Sequence, residues 1–84
     1  MKNFKVGKVT HYYDKIGVAI VELTGDLAVG EKIKFQRGGE DMYEQSVESI
    51  QIEHKKVPDA KNGDVVGLKV DEPIKEGTEV YKKG

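Results

Sequence analysis

No window of about eleven residues in this chain keeps an apolar stripe at i, i+3, i+4 and i+7, whereas several short runs alternate with period two. That pattern predicts strands and leaves no segment suited to a core-facing helix. The first run spans about Lys2 to Tyr12, with Phe4 and Val6 on one face, and the apolar parity moves to Val9 just after Gly7. A bulge at Gly7 accounts for the shift. After a turn at Asp14-Lys15, Ile16 to Thr24 forms a second strand in which Val18 and Ile20 alternate and Val21 and Leu23 follow on the other parity. A strand apolar on both parities is expected to be covered on both faces.

The stretch "LTGDLAVGEKIKF" joins this strand to the next: Gly25-Asp26 leaves one, Gly30-Glu31 enters another carrying Ile33 and Phe35. Leu27 and Val29 between the turns are expected to fold back as an apolar plug over the end of a sheet. Arg37-Gly38-Gly39-Glu40-Asp41 forms a turn, and a fourth strand runs from about Tyr43 to His54. Its parity slips between Val47 and Ile50, which suggests a second bulge. A long break containing Pro58 and Asn62-Gly63 leads into Val65 to Val70, and Thr78 to Lys82 is the last strand. Six strands without helix-length connections argue against a parallel α/β sheet. Closure into a small barrel is the expected architecture, since it removes edges that a short chain could not cover.

With 84 residues the chain is expected to form one domain, residues 1–84, too small for a two-lobed active site. It has no cysteine, no signal-type apolar segment and no run long enough to span a bilayer, so a cytoplasmic location is expected. Charged residues make up 35% of the chain yet nearly cancel at a formal charge of −1, which gives no global attraction for nucleic acid or anionic membrane. Any RNA contact must be local.

Candidate chemistry is sparse. His11 and His54 fall in no recognised metal or acid–base spacing and read as structural. Glu40, Asp41 and Glu44 lack the regular oxygen spacing of a calcium loop, so a solvated turn is favoured. Ser46 and Ser49 have no nucleophile elbow around them. No catalytic, cofactor-binding or metal-ligating residue is assigned, and the chain reads as a non-enzyme.

Four segments carry a family resemblance: "TGDLAVGEKIKF", "VESIQIEHK", "AKNGDVVGLKV" and "IKEGTEVYKKG". Their order and spacing resemble domain 2 of elongation factor Tu and related translational GTPases. The matching positions are Gly25, Leu27, Gly30, Glu31 and Ile33, then Val47 and Ile50, then Ala60, Gly63, Asp64, Val66 and Gly67, then Ile74, Gly77 and Val80. The resemblance implies a closed, six-stranded, Greek-key-like β-barrel that docks to ribosomal or transfer RNA or to the translation machinery. No phosphate-cradling G-x-x-x-x-G-K-[ST] segment is present, so no nucleotide is expected to bind. Similar barrels also accompany collagenase-like peptidases, which makes a protein-interaction module that partners a separate enzyme the alternative.

The residues singled out for contact are Tyr12, Tyr13, Lys15, Lys55 and Lys56, tyrosines and lysines at strand ends. Stacking surfaces beside cations suit unpaired RNA. The other reading is that one tyrosine caps the barrel while the lysines keep a strand end wet. Lys32, Lys34 and Arg37 form either a narrow basic stripe or an outward polar face. The sequence does not specify an oligomeric state.

Overall fold

The computed structural model describes residues 3–83, so Lys2, where the first strand was expected to begin, lies outside the described residues. Ten strands and no helix occur within them: β1 (Asn3–Tyr13), β2 (Val18–Leu23), β3 (Leu27–Ala28), β4 (Lys32–Arg37), β5 (Glu40–Ser46), β6 (Ile50–Ile52), β7 (Lys55–Val57), β8 (Asp59–Ala60), β9 (Val65–Lys69) and β10 (Glu79–Lys83). Eight of them make one sheet in the order β5-β4-β10-β1-β2-β9-β6-β7, and β3 pairs with β8 in a second, two-stranded sheet. Every pairing is antiparallel. No helix of the described residues is long and apolar enough to cross a membrane.

The six-strand expectation is corrected in four places, one of them β3 in the segment between β2 and β4. The run expected as one strand from Tyr43 to His54 is two, β5 and β6, because Val47 leaves the large sheet. Its N–H donates to the Glu31 carbonyl at 2.8 Å, and its own carbonyl accepts the Gly30 N–H at 2.9 Å. The chain then turns at Glu53-His54 and returns as β7, and the long break contains β8. These strands have two or three residues each, too few for a periodicity to show.

Closure is the other difference. The sheet order has two ends, β5 and β7, so the strands do not form a hydrogen-bonded ring. At β5 a side chain supplies what the backbone does not. Gln45 is 7% exposed; its Nε2 donates to the Lys69 carbonyl at 2.9 Å and to the Ser46 carbonyl at 3.2 Å. Its Oε1 accepts from the Asp71 N–H at 2.9 Å and the Tyr43 hydroxyl at 2.8 Å. All four hydrogen-bonding positions of the amide face protein groups, and they tie β5 to the chain just after β9.

The core follows the alternation. Phe35, Ile33, Ala19, Val21, Ile50 and Val80 are fully buried, and Phe35 stacks at a tilt on Tyr43 with ring centres 5.0 Å apart. In β1 the register with β10 shifts between Lys5 and Gly7, so Val6 is the extra residue and both Val6 and Gly7 are buried. Gly7 is required by contact: a Cβ there would lie 2.6 Å from Val21 Cγ1 and 3.0 Å from the Glu22 carbonyl. Phe4, expected beside Val6, is instead 55% exposed near the start of the strand.

The segment between β2 and β4 divides. Leu27 is 1% exposed and is the register partner of buried Ala60, whereas Val29 is 44% exposed with its N–H bound to the Pro58 carbonyl at 3.0 Å. Leu27→Ala is therefore expected to cost about 2–5 kcal/mol and Val29→Ala less than about 0.5 kcal/mol. Urea midpoints of the two variants, read at constant slope, decide whether Leu27 alone anchors β3.

Burial pushes the Tyr43 hydroxyl up to about 12 from its ordinary value of 10.0, against the opposing N–H groups of Glu72 and Asp71. The folded pKa lies above the unfolded one, so this stability is complete below pH 10 and is lost as pH rises toward 12. Tyr43→Phe should flatten the loss of stability across that window relative to wild type, with lysine titration common to both. Parallel alkaline curves would show that the buried hydroxyl does not govern it.

Candidate functional site

The β1–β2 hairpin organises the molecular surface. Tyr13 and Val18 are paired across a four-residue turn closed by the Gly17 N–H on the Tyr13 carbonyl at 2.9 Å. Successive strand residues point to opposite faces. Tyr12 and Tyr13 accordingly line different hollows, one on each side of the hairpin.

The first hollow, of about 240 Å³, lies on the outer face of β2 and β9. Val18 and Ile20 point outward from β2, opposite the buried Ala19 and Val21, and are only half-buried. Gly67 on β9 is the register partner of Ile20 and of Gln51 on β6. A Cβ at Gly67 would meet Val18 Cγ1 at 3.2 Å and Ile20 Cδ1 at 3.8 Å, so the missing side chain makes the depression. Tyr13, Ile16 and Val65 stand around it at 48%, 60% and 53% exposure. These are three of the six large apolar side chains that the described residues expose, and they are concentrated at one place.

The rim on the β6 side is strained. Ile52 and Lys55 pair across a two-residue turn, Glu53-His54, in which both residues have positive φ, 51° and 67°. Two-residue hairpins with positive φ at both positions ordinarily use Asn-Gly or Asp-Gly. Here a glutamate and a histidine hold that conformation, and both line the hollow.

The five residues proposed for contact are distributed, with no ion pair joining them among the described residues. Tyr13 borders the first hollow beside His54, and Tyr12 borders the second. Lys15 is exposed in the β1–β2 turn, and Lys55 and Lys56 are exposed on β7, at one end of the sheet. Among the motif positions, Gly30, Gly63 and Gly77 occupy turns at positive φ, Gly25 lies against Val6, and Gly67 floors the hollow. Ile16, Val18, Ile20, Val65 and the Glu53-His54 turn were not singled out as site residues from the sequence; the double apolar parity of β2 was a signal for Val18 and Ile20 alone.

Three of the polar residues weighed from the sequence are engaged structurally. His11 stacks edge-on against Tyr13 at 4.4 Å between ring centres, and its Nδ1 lies 3.2 Å from Glu76. Asp41 accepts from Gln36 at 2.6 Å, and that hydrogen bond, with Lys34, holds its carboxyl below the ordinary value. Glu44 pairs with Lys83 at 3.0 Å. Among the described residues no group of three His, Cys, Asp or Glu side chains is arranged to hold a metal ion.

No protein-family model matches the chain. It is 38% identical over 80 residues, 95% of its length, to a protein of Methanocaldococcus jannaschii described as an uncharacterized protease. The chain spans only 20% of that relative. Its fold is similar to the C-terminal domain of a "putative U32 peptidase" of Geobacillus thermoleovorans, with a TM-score of 0.87 and 23% identity, covering 98% of this chain and 93% of that one. The selenomethionine form of that domain superposes with a TM-score of 0.85 at 22% identity, covering 94% of this chain and 98% of that one.

These likenesses correct the resemblance to domain 2 of elongation factor Tu, and with it the translation-factor, protein-biosynthesis and RNA-binding readings. The shared glycines and aliphatics explain the error. They occupy turns and core positions that any small antiparallel fold with these hairpins requires, and carry no information about a partner.

Replacing Glu53-His54 by Asn-Gly should relieve the turn and stabilise the fold by about 1–2 kcal/mol. Thermal and urea unfolding of the double variant test this, and no gain would mean that the turn carries no strain.

Proposed function

We propose that this chain is a non-catalytic interaction module that works with a peptidase of the U32 kind, docking through the first hollow. The carrying observation is the outer face of β2. Val18 and Ile20 give the strand the composition of one buried on both sides, yet the fold covers only one side, and Ile16, Tyr13 and Val65 extend the apolar surface around it. A partner protein surface supplies the missing cover.

The likenesses favour a peptidase as that partner. The matched stretch is one fifth of a relative described as a protease, and the similar solved structures are of a C-terminal domain described as part of a peptidase. The reading assigns no bond-breaking step to this chain. His11 is engaged with Glu76 and Tyr13, and Ser46 is exposed on the terminal strand β5.

The test uses the part of the Methanocaldococcus jannaschii relative outside the matched 80 residues, produced alone and titrated with this chain by calorimetry. Saturable binding is expected. Ile16→Asp and Val65→Asp, both at exposed positions, should each weaken it by about tenfold or more while leaving the unfolding midpoint unchanged. The absence of binding, or binding indifferent to both aspartates, removes the docking role. Hydrolysis of a denatured protein substrate by the purified chain alone would refute the non-catalytic reading.

A further inference from the structure

The second hollow, of about 430 Å³, lies on the other side of the β1–β2 hairpin and has a different chemistry. Buried Ile74 and Thr78 line it together with Tyr12, Pro73 and Met42. Met42 is placed there by a bulge: Phe35 pairs with Tyr43 and Gln36 with Asp41, so Met42 has no cross-strand partner and is 52% exposed. Bulges re-aim side chains in this way. An exposed, unbranched thioether over a hollow is suited to side chains of varied shape.

Two cations also line this hollow, Arg37 at the end of β4 and Lys75 in the loop before β10. Arg37 is the chain's single arginine. Like most lysines of the chain, neither cation has a carboxylate within 4.0 Å among the described residues. Asp14 is the one acid in the lining, and Glu40, the register partner of Arg37, makes no ion pair with it. The hollow therefore combines apolar walls with two uncommitted cations against one acid. The outer edge of β5 beside it carries no neighbouring strand.

We infer that this second hollow captures an extended polypeptide segment in which an aliphatic or aromatic side chain is flanked by a carboxylate. The apolar side chain enters among Met42, Pro73, Ile74 and Tyr12. The carboxylate meets Arg37, whose planar fork suits two parallel hydrogen bonds, while Lys75 adds a second positive charge. An extended segment can also run along the open edge of β5, using the backbone groups that β4 leaves unpaired. This inference does not depend on the peptidase reading, because its residues and those of the first hollow are separate sets.

Fluorescence anisotropy with a short labelled peptide bearing leucine between two aspartates tests it. Comparators replace the aspartates by lysines, or the leucine by serine. The acidic leucine peptide is expected to bind and both comparators to bind poorly. Arg37→Gln should weaken binding by about ten- to a hundredfold, the range for losing hydrogen bonds to a charged group. Met42→Asp should abolish it, and Ile16→Asp, at the first hollow, should leave it unchanged. Equal binding of acidic and basic peptides, no binding by wild type, or binding undiminished in Arg37→Gln overturns the inference. Concentration-dependent dimerisation that Met42→Asp removes would assign the hollow to a second copy of the chain and overturns it as well. Because the peptide and calorimetric titrations use different ligands and different variants, failure of one leaves the other readable.

Discussion

The constraint on which this structure turns is the pair of sheet ends. Eight strands curl around a single core, but the order stops at β5 and β7, and each end leaves a row of backbone groups without a ladder. An open edge invites unwanted pairing. At β7 the answer is compositional: three residues, two of them exposed lysines, followed by Pro58, make a short and unattractive template. At β5 it is geometric. The Gln45 amide reaches the Lys69 carbonyl and the Asp71 N–H, tying β5 to the end of β9 through a side chain while the outer edge of β5 itself carries no neighbouring strand. The Tyr43 hydroxyl completes the set, and no buried side-chain nitrogen or oxygen among the described residues is left without a partner. A half-satisfied amide there would cost more than an apolar residue, which makes the completeness of the network essential to that tie.

Much of the strand layout was legible because alternation is a local signal. Ile33 and Phe35 on β4, and Val66 and Leu68 on β9, face inward as their spacing predicts. What escaped detection depends on long-range pairing. Leu27-Ala28 becomes a strand only because Asp59-Ala60 arrives beside it, more than thirty residues later in the chain. The Glu53-His54 turn escaped because turn signals are read from glycine, asparagine and proline, and here a tight reversal is imposed on residues that resist it. The site was half legible. The double parity of β2 announced two apolar faces, but the alternation of one strand says nothing of whether the second face is covered by the same chain.

The translation-factor resemblance failed for a related reason. Gly30, Gly63 and Gly77 sit at positive φ in turns, and their spacing encodes where this backbone reverses. Leu27, Ile33, Val66 and Val80 encode what fills the core. Both sets describe architecture, and architecture is shared among modules with different partners. The residues that give the two hollows their chemistry lie outside those motifs: Ile16, Val65, Met42, and Arg37, which has no carboxylate beside it among the described residues.

The position of those residues has a mechanical consequence. Tyr12 and Tyr13 are neighbours on one strand and serve hollows on opposite sides of the same hairpin. The hairpin is not a loose loop. Its turn is closed by the Gly17 N–H, and the Gly17 carbonyl in turn accepts the Val70 N–H at 2.9 Å, fastening the tip to the end of β9. Two ligands bound on either side would therefore be held at a fixed separation and orientation, without a linker whose slack dilutes the effect. A rigid spacer of matched length raises the effective concentration of one bound partner at the other. If both hollows are filled as proposed, the β1–β2 hairpin, fastened at its tip, would supply that rigidity, and the gain would come from holding the two ligands together rather than from a catalytic residue of this chain.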